Sequence, residues 1–281
     1  MISMWKCYLP YAWLLSTRAS KFDLFNLVTI FINYCWFSLF FLMLYFNTFS
    51  GWIIDYIIGY TGMMSLYECG YIFNDVITVQ YESNPTKRIK DKKEISRILN
   101  HLENILTVRL IYFLLASYCL YLYRPENVIL YIVLSTGMLI AYSLHNFIRN
   151  GWNGFTFMAL VHFKYLIPIG IFLSIGELCH YYIWILMIAI VEQSAIHWTE
   201  KRYFSLQLIP PDKIDQFRVV YFTLVIFIFA IGVKLNLLDF KYMTLPIFYF
   251  FYRVIGVFLI KKSFIKNMVY ARRNMHKDEA S

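Results

Sequence analysis

The sequence predicts an all-α polytopic membrane bundle of about eight transmembrane helices, with loops capping its cytoplasmic end. Three observations predict it. Of 281 residues, 60% are apolar and only 15% charged; the mean hydropathy is +0.55; and apolar stretches of about 20 residues, the length that crosses a hydrocarbon layer, recur along the chain. An ordinary soluble domain has nowhere to bury that much apolar surface.

Lys6 and the apolar stretch after it resemble the start of a signal peptide, but no small-residue cleavage site follows, so residues 1–20 are read as a retained segment lying in the interface. The apolar segments then run at 23–46, 52–74, 104–123, 127–147, 153–175, 178–199, 217–236 and 243–260. Connections 1–2, 3–4, 5–6 and 7–8 are short and hold few basic residues. The opposite side collects three basic residues before the first segment, six in 76–103, Arg149, four in 200–218 and six after 260, together 20 of the 26 Lys and Arg. The positive-inside rule therefore places both termini and the even-numbered loops in the cytoplasm of a cell whose plasma membrane holds the chain. The same rule explains the net charge of +9 without nucleic acid as a partner.

The chain reads as one membrane domain over 1–281, with cap loops at 76–103 and 200–217 and a basic tail at 261–281. Both loops carry charges at helical spacing, as in "DKKEISRILNHLEN" and "PDKIDQFR". The five cysteines follow no zinc or CxxC spacing and read as small core residues. Within the membrane segments, Arg109 reads as a helix-end charge or an internal partner for an acid. Lys164 reads as one half of a buried ion pair.

The second segment carries the chemistry. Glu68, Tyr71, Asp75, Thr78 and Glu82 are spaced 3, 4, 3 and 4 apart, which confines them to an arc of about 80° on one helical face, with Asn74 at its border. A carboxylate facing lipid is costly, so the stripe faces a polar interior and needs a counter-charge. Mg²⁺ suits it, because this ion takes one or two carboxylates and completes its shell with water and phosphate oxygens. A plainer alternative is a solvated helix end in which Asp75 and Glu82 pair with Lys87 and Arg88. The sixth segment ends in Glu192, Gln193, His197 and Glu200 over an arc of about 140°. Glu200 lies at the membrane exit with Lys201 and Arg202 next to it, and Glu192 lies one to two turns deeper. On the fourth segment Tyr142, Asn146 and Arg149 share a face.

Asn74-Asp75-x-x-Thr78-x-x-x-Glu82, followed by Asn84-Pro85-Thr86-Lys87-Arg88, resembles the first motif of the UbiA superfamily of intramembrane prenyltransferases, NDxxDxxxD with a basic, proline-containing continuation. The resemblance makes the chain a divergent member, with Thr78 at an Asp position, Glu82 for Asp, an imperfect second motif and eight segments where nine spans are usual. It implies that Asn74, Asp75, Glu82 and Glu200 bind Mg²⁺ bridged to a polyprenyl diphosphate, and that Lys87, Arg88, Arg149, Lys201 and Arg202 hold its phosphates. Glu68, Tyr71, Thr78, Tyr142, Asn146 and His197 would line the substrate, with Glu192 as a second-sphere acid or the acceptor's base and His197 as a neutral partner in place of a carboxylate. The implied reaction is prenyl transfer to a small, aromatic acceptor. Alternatives are phosphoribosyl-type transfer onto a polyprenyl phosphate, an inactive isoprenoid-binding relative, and a transporter whose acids couple to protons. No P-loop, GxGxxG or HExxH occurs.

Overall fold

Each of the eight predicted apolar segments is helical in a computed structural model of the chain, which describes residues 3–18, 24–48, 50–81, 87–89, 91–148, 150–201, 209 and 213–261. No strand occurs among the described residues. Four helices, Leu102–Tyr123, Pro125–Phe147, Ile175–Trp198 and Ile214–Lys234, are long and apolar enough to cross a membrane. Only 22% to 39% of the most apolar window of each is buried, so most of their hydrophobic side chains face outward, as a lipid-facing surface requires and a water-facing one does not tolerate. The remaining segments are interrupted or carry charge. The first supplies only a shorter apolar helix, Ile32–Phe46, and the second holds Asp55, Glu68 and Asp75. Length and apolarity thus support four spans.

The chain divides into two compact units, Met1–Ile185 and Leu186–Ser281. The first begins with two short helices, α1 (Trp5–Tyr8) and α2 (Ala12–Arg18). Then come α3 (Leu24–Phe31), a π-helical stretch Ile32–Trp36 and α4 (Phe37–Phe46). Helix α5 (Ile53–Val76) is the hub, packing on α2, α6 (Lys92–Asn100), α7 (Leu102–Tyr123), α8 (Pro125–Phe147) and α9 (Asn153–Gly170). Close approach explains the hub's small residues. A Cβ on Gly62 would lie 2.6 Å from Ala116 Cβ and 2.5 Å from the Tyr131 hydroxyl, separations that no side chain accommodates without displacement.

Local signals set the helix ends. Asp91 caps α6 by accepting from Lys93 N at 2.9 Å, so the first cap loop contains a helix where charge spacing predicts one. Pro125 opens α8, where a missing N–H costs nothing. Beside that corner Arg124 meets Asp55 of α5 at 3.0 Å. Helix α10 (Ile175–Ile185) starts with a reciprocal cap: Ser174 Oγ accepts from Glu177 N, and the Glu177 carboxylate accepts from Ser174 N at 2.8 Å.

In the second unit a π-helical stretch, Leu186–Val191, leads into α11 (Glu192–Lys201), followed by the hairpin of α12 (Ile214–Lys234) and α13 (Thr244–Lys261). Helix α12 ends at Asn236, whose φ of 57° lets Leu237 N donate to Gly232 O and Asn236 N to Val233 O. This is the paired-carbonyl cap that a left-handed Asn supports. Phe222 and Tyr249 stack across the hairpin at 5.5 Å.

Candidate functional site

The polar face of α5 is buried, and the counter-charges it requires are present. Glu68 and Arg109 are both fully buried and pair at 2.8 Å. Arg109 also donates to the carbonyls of Cys7 at 2.8 Å and Leu9 at 3.1 Å, while Leu14 N donates to Glu68 Oε1 at 2.6 Å. The pair therefore does two jobs. It neutralises a carboxylate in a low-dielectric interior, and it satisfies backbone groups of the opening segment that no regular helix satisfies. Residues 5–18, expected at the interface, are tied to α5 and α7 as a strap. Tyr11, with φ of 66°, turns the strap between its two helices, its hydroxyl 3.1 Å from Thr61 Oγ1 and its ring stacked on Tyr60.

Two turns further along α5, about 10 Å, Asp75 is 3% exposed and saturated with donors. Trp13 Nε1 donates to Oδ2 at 3.0 Å, and Arg18 donates to Oδ2 at 2.6 Å and Oδ1 at 3.4 Å. Arg88 donates to Oδ1 at 3.0 Å. Burial by itself would lower the Arg18 pKa, but the adjoining Asp75 carboxylate raises it above its ordinary value, so the guanidinium stays charged. It lies 3.7 Å from the centre of the Tyr71 ring, a cation–π contact. The Tyr71 hydroxyl is 2.6 Å from that of Tyr34. Tyr67, Tyr71 and Tyr142 meet edge to face at 5.1 to 5.7 Å. Gly70 gives them room, since a Cβ there would sit 2.3 Å from the Tyr142 ring.

Beyond Tyr34 lies an apolar cavity of about 220 Å³ whose walls include Tyr11, Leu14, Ile30, Tyr34, Tyr60 and Met64. One side chain, Tyr34, thus borders both the cavity and the chain of contacts that leads through Tyr71 and Arg18 to Asp75. The arrangement is amphiphilic, with cations and a carboxylate at one end and a greasy hollow at the other.

Other expected site residues have mixed outcomes. Asn74 is half-buried on α5, and Lys87 is exposed next to Arg88. The Thr78 hydroxyl, just past the end of α5, donates back to Phe73 O of that helix. Asn146 donates to Gly70 O at 3.3 Å, and its buried Oδ1 has no hydrogen-bond partner among the described residues, an acceptor that a bound molecule would satisfy. In the second unit Glu192 is 2% exposed and receives Arg218 Nε at 2.7 Å and Arg253 at 3.0 Å on one oxygen. These two contacts tie α11 to α12 and α13. His197 is half-buried on α11. Glu82, Arg149 and Arg202 lie outside the described residues, as do the side chains of Glu200 and Lys201 at the end of α11.

Asn74 and Asp75 are oxygen donors of the kind a hard cation takes. Among the described residues, however, no three His, Cys, Asp or Glu converge, and both Asp75 oxygens are engaged by guanidinium groups. The described lining thus offers a cation one carboxylate, already held by two guanidinium groups. Sequence reasoning missed Trp13 and Arg18. It asked for a counter-charge on this face and looked for it in the metal and in residues just downstream; the available signal was an Arg and a Trp at the end of the opening stretch. Lys164, expected in an ion pair, sets its ammonium over the rings of Tyr34 at 5.0 Å and Tyr165 at 4.5 Å.

Comparison with known protein families, curated proteins and solved structures finds no match to this chain.

Proposed function

We propose that this chain is a UbiA-like intramembrane transferase that moves a prenyl group from a polyprenyl diphosphate to a small, aromatic acceptor. The observation that carries the reading is the amphiphilic arrangement on α5: the buried Asp75 held by Arg18 and Arg88, joined through Tyr71 and Tyr34 to an apolar cavity. A lipid with a phosphorylated head and an isoprenoid tail has the matching polarity. The basic side of the chain then faces the cytoplasm of a plasma-membrane protein.

Arg18 and Arg88 present planar forks that match phosphate oxygens, with Lys87 as a further point charge. During transfer the allylic C–O bond breaks with its electron pair leaving on the diphosphate, the acceptor bonds to the freed carbon, and the acceptor's proton passes to solvent or base. The chain's task is to stabilise the leaving charge from preorganised cations and to keep water from the allylic carbon. The tyrosine cluster closes the dry side. Asn74 and Asp75 would be the described residues nearest a Mg²⁺ ion at this head group, and the ion would add to the charge neutralisation. Phosphoribosyl-type transfer onto a polyprenyl phosphate uses the same head-group site.

The Thr78 hydroxyl, bonded to Phe73 O where the family motif carries a carboxylate, favours a second reading, an inactive isoprenoid-binding relative. The test is incubation of purified protein with labelled polyprenyl diphosphates of several lengths and a panel of aromatic acceptors, with and without Mg²⁺. Transfer that requires Mg²⁺ and is lost in Asp75→Ala supports the enzyme. Saturable binding with no diphosphate release supports the relative. Neither binding nor release, with proton-driven flux in liposomes, points to the transporter.

A further inference from the structure

We infer that Arg18 and Arg88 form a clamp that takes the phosphorylated head group without a divalent ion on the protein, and that Asp75 is the positioning carboxylate that holds the two guanidinium groups together. The inference rests on the phosphorylated-lipid reading above and departs from the motif resemblance, which makes Asp75 a metal ligand.

The surroundings of Asp75 set its role. Trp13 Nε1 and Arg18 donate to Oδ2, while Arg88 and, at 3.4 Å, Arg18 donate to Oδ1. Every hydrogen bond that Asp75 makes among the described residues thus comes from an N–H group. A divalent ion on either oxygen would sit beside two guanidinium charges, and like charges that close repel. An anion meets the opposite conditions. The deeper acid of the sixth segment has similar company within its own unit: Glu192, 2% exposed, takes Arg218 Nε at 2.7 Å and Arg253 at 3.0 Å. In each unit a buried acid of the expected reaction site is matched with two guanidinium groups, a balance of charge that attracts anions.

At the end of α5 the two arginines play unequal parts. Arg18 is 13% exposed, bonded to both oxygens of Asp75 and set 3.7 Å from the centre of the Tyr71 ring, so its plane is fixed. Arg88 is 32% exposed, and among the described residues its one hydrogen bond goes to Asp75 Oδ1. A guanidinium carries five N–H donors, so most of this fork is unspent where water and ligands reach it, and the fork matches two oxygens of a phosphate at once. Left to themselves the two cations would repel. Bonded to one carboxylate, they lie close enough to share one diphosphate, and the net positive charge that remains is joined by Lys87, exposed next to Arg88. A Mg²⁺ ion that arrives on the phosphates adds charge there, but the clamp does not depend on it.

The test is thermal stabilisation of the full chain in detergent by inorganic pyrophosphate and by geranyl diphosphate, in buffer stripped of divalent ions and again with Mg²⁺, for wild type, Arg18→Gln, Arg88→Gln and Asp75→Asn. Both ligands should stabilise wild type without divalent ions, geranyl diphosphate at the lower concentration because its tail has the cavity beside Tyr34. Each glutamine should weaken both ligands by about tenfold, the scale of one charge-assisted hydrogen bond; Arg88→Gln, at the more exposed side chain, gives the reading if Arg18→Gln folds poorly. Asp75→Asn should bind pyrophosphate at least as tightly as wild type, because a competing negative charge is gone while an amide oxygen still accepts from the arginines. Loss of a metal ligand would have the reverse effect. Stabilisation that needs Mg²⁺, or that disappears in Asp75→Asn, overturns the clamp and leaves the lipid reading standing. Equal affinity for the two ligands would assign the clamp to free phosphate and remove the lipid as its occupant. If geranyl diphosphate stabilises wild type in neither buffer, the lipid reading falls and takes the clamp with it.

Discussion

Glu68 and Arg109 put a large energetic stake on a single contact. Each is fully buried, and their separation is 2.8 Å. Taking either charge out of water costs several kcal/mol, which the partner and the surrounding hydrogen bonds offset. Removing one partner leaves the other uncompensated. Glu68→Gln and Arg109→Met should each lower unfolding stability in detergent by about 3–5 kcal/mol. The double variant should lose less than the sum of the two, because neither buried charge is then left alone. Additive losses in denaturant unfolding would mean that the two side chains act separately. Asp75 differs at this scale: it has more donors but sits among partly exposed arginines, so water and ions can replace what a substitution removes.

At the scale of elements, much was legible in the sequence because apolar periodicity and loop charge are local signals. The eight predicted segments are helical, and the charged run after residue 90 forms α6 with Asp91 as its cap. The π-helical stretches Ile32–Trp36 and Leu186–Val191 were not legible, since a single inserted residue per turn barely alters composition. Nor was the strap. Its partners lie 50 to 102 residues away in the chain, as in Tyr11 with Thr61 or Cys7 O with Arg109, and no spacing rule links residues so distant. The face of α5 needing a counter-charge could be read, but the identity of Arg18 could not. The strap itself can be tested through Cys7. Its side chain is fully buried, and burial raises its thiol pKa, so little nucleophilic thiolate forms. In a variant retaining Cys7 alone, maleimide should fail to label the folded protein at neutral pH. Trp13→Ala removes a buried ring and the Asp75 hydrogen bond, and labelling should then rise at least about tenfold through local opening. Equal labelling of both proteins would show that the strap is not packed as described.

Across the whole molecule, charge asymmetry and site location answer the same question. Helix α7 runs from Leu102 to Tyr123, about 33 Å at 1.5 Å per residue, enough to cross a hydrocarbon layer of about 30 Å. Before it lie Lys87, Arg88, Lys90, Lys92, Lys93 and Arg97; after it, up to Phe147, the one basic residue besides His145 is Arg124. Basic loops are retained on the cytoplasmic side, so the end of α5 that carries Asp75, with Arg88 beyond it in the chain, should open to the cytoplasm, and the corner between α7 and α8 to the other side. Single cysteines in place of Lys93 and Glu126, both exposed, test this in a cysteine-free background. A membrane-impermeant maleimide applied to intact cells should label Glu126→Cys at once and Lys93→Cys only after permeabilisation. The reverse pattern would put the arginine-lined site outside the cell, away from the cytoplasmic pool of Mg²⁺ and phosphorylated substrates. Labelling of both from one side would mean that α7 does not cross at all. Either result would remove the ground for a head group meeting Asp75 at the inner surface while its tail occupies the cavity beside Tyr34.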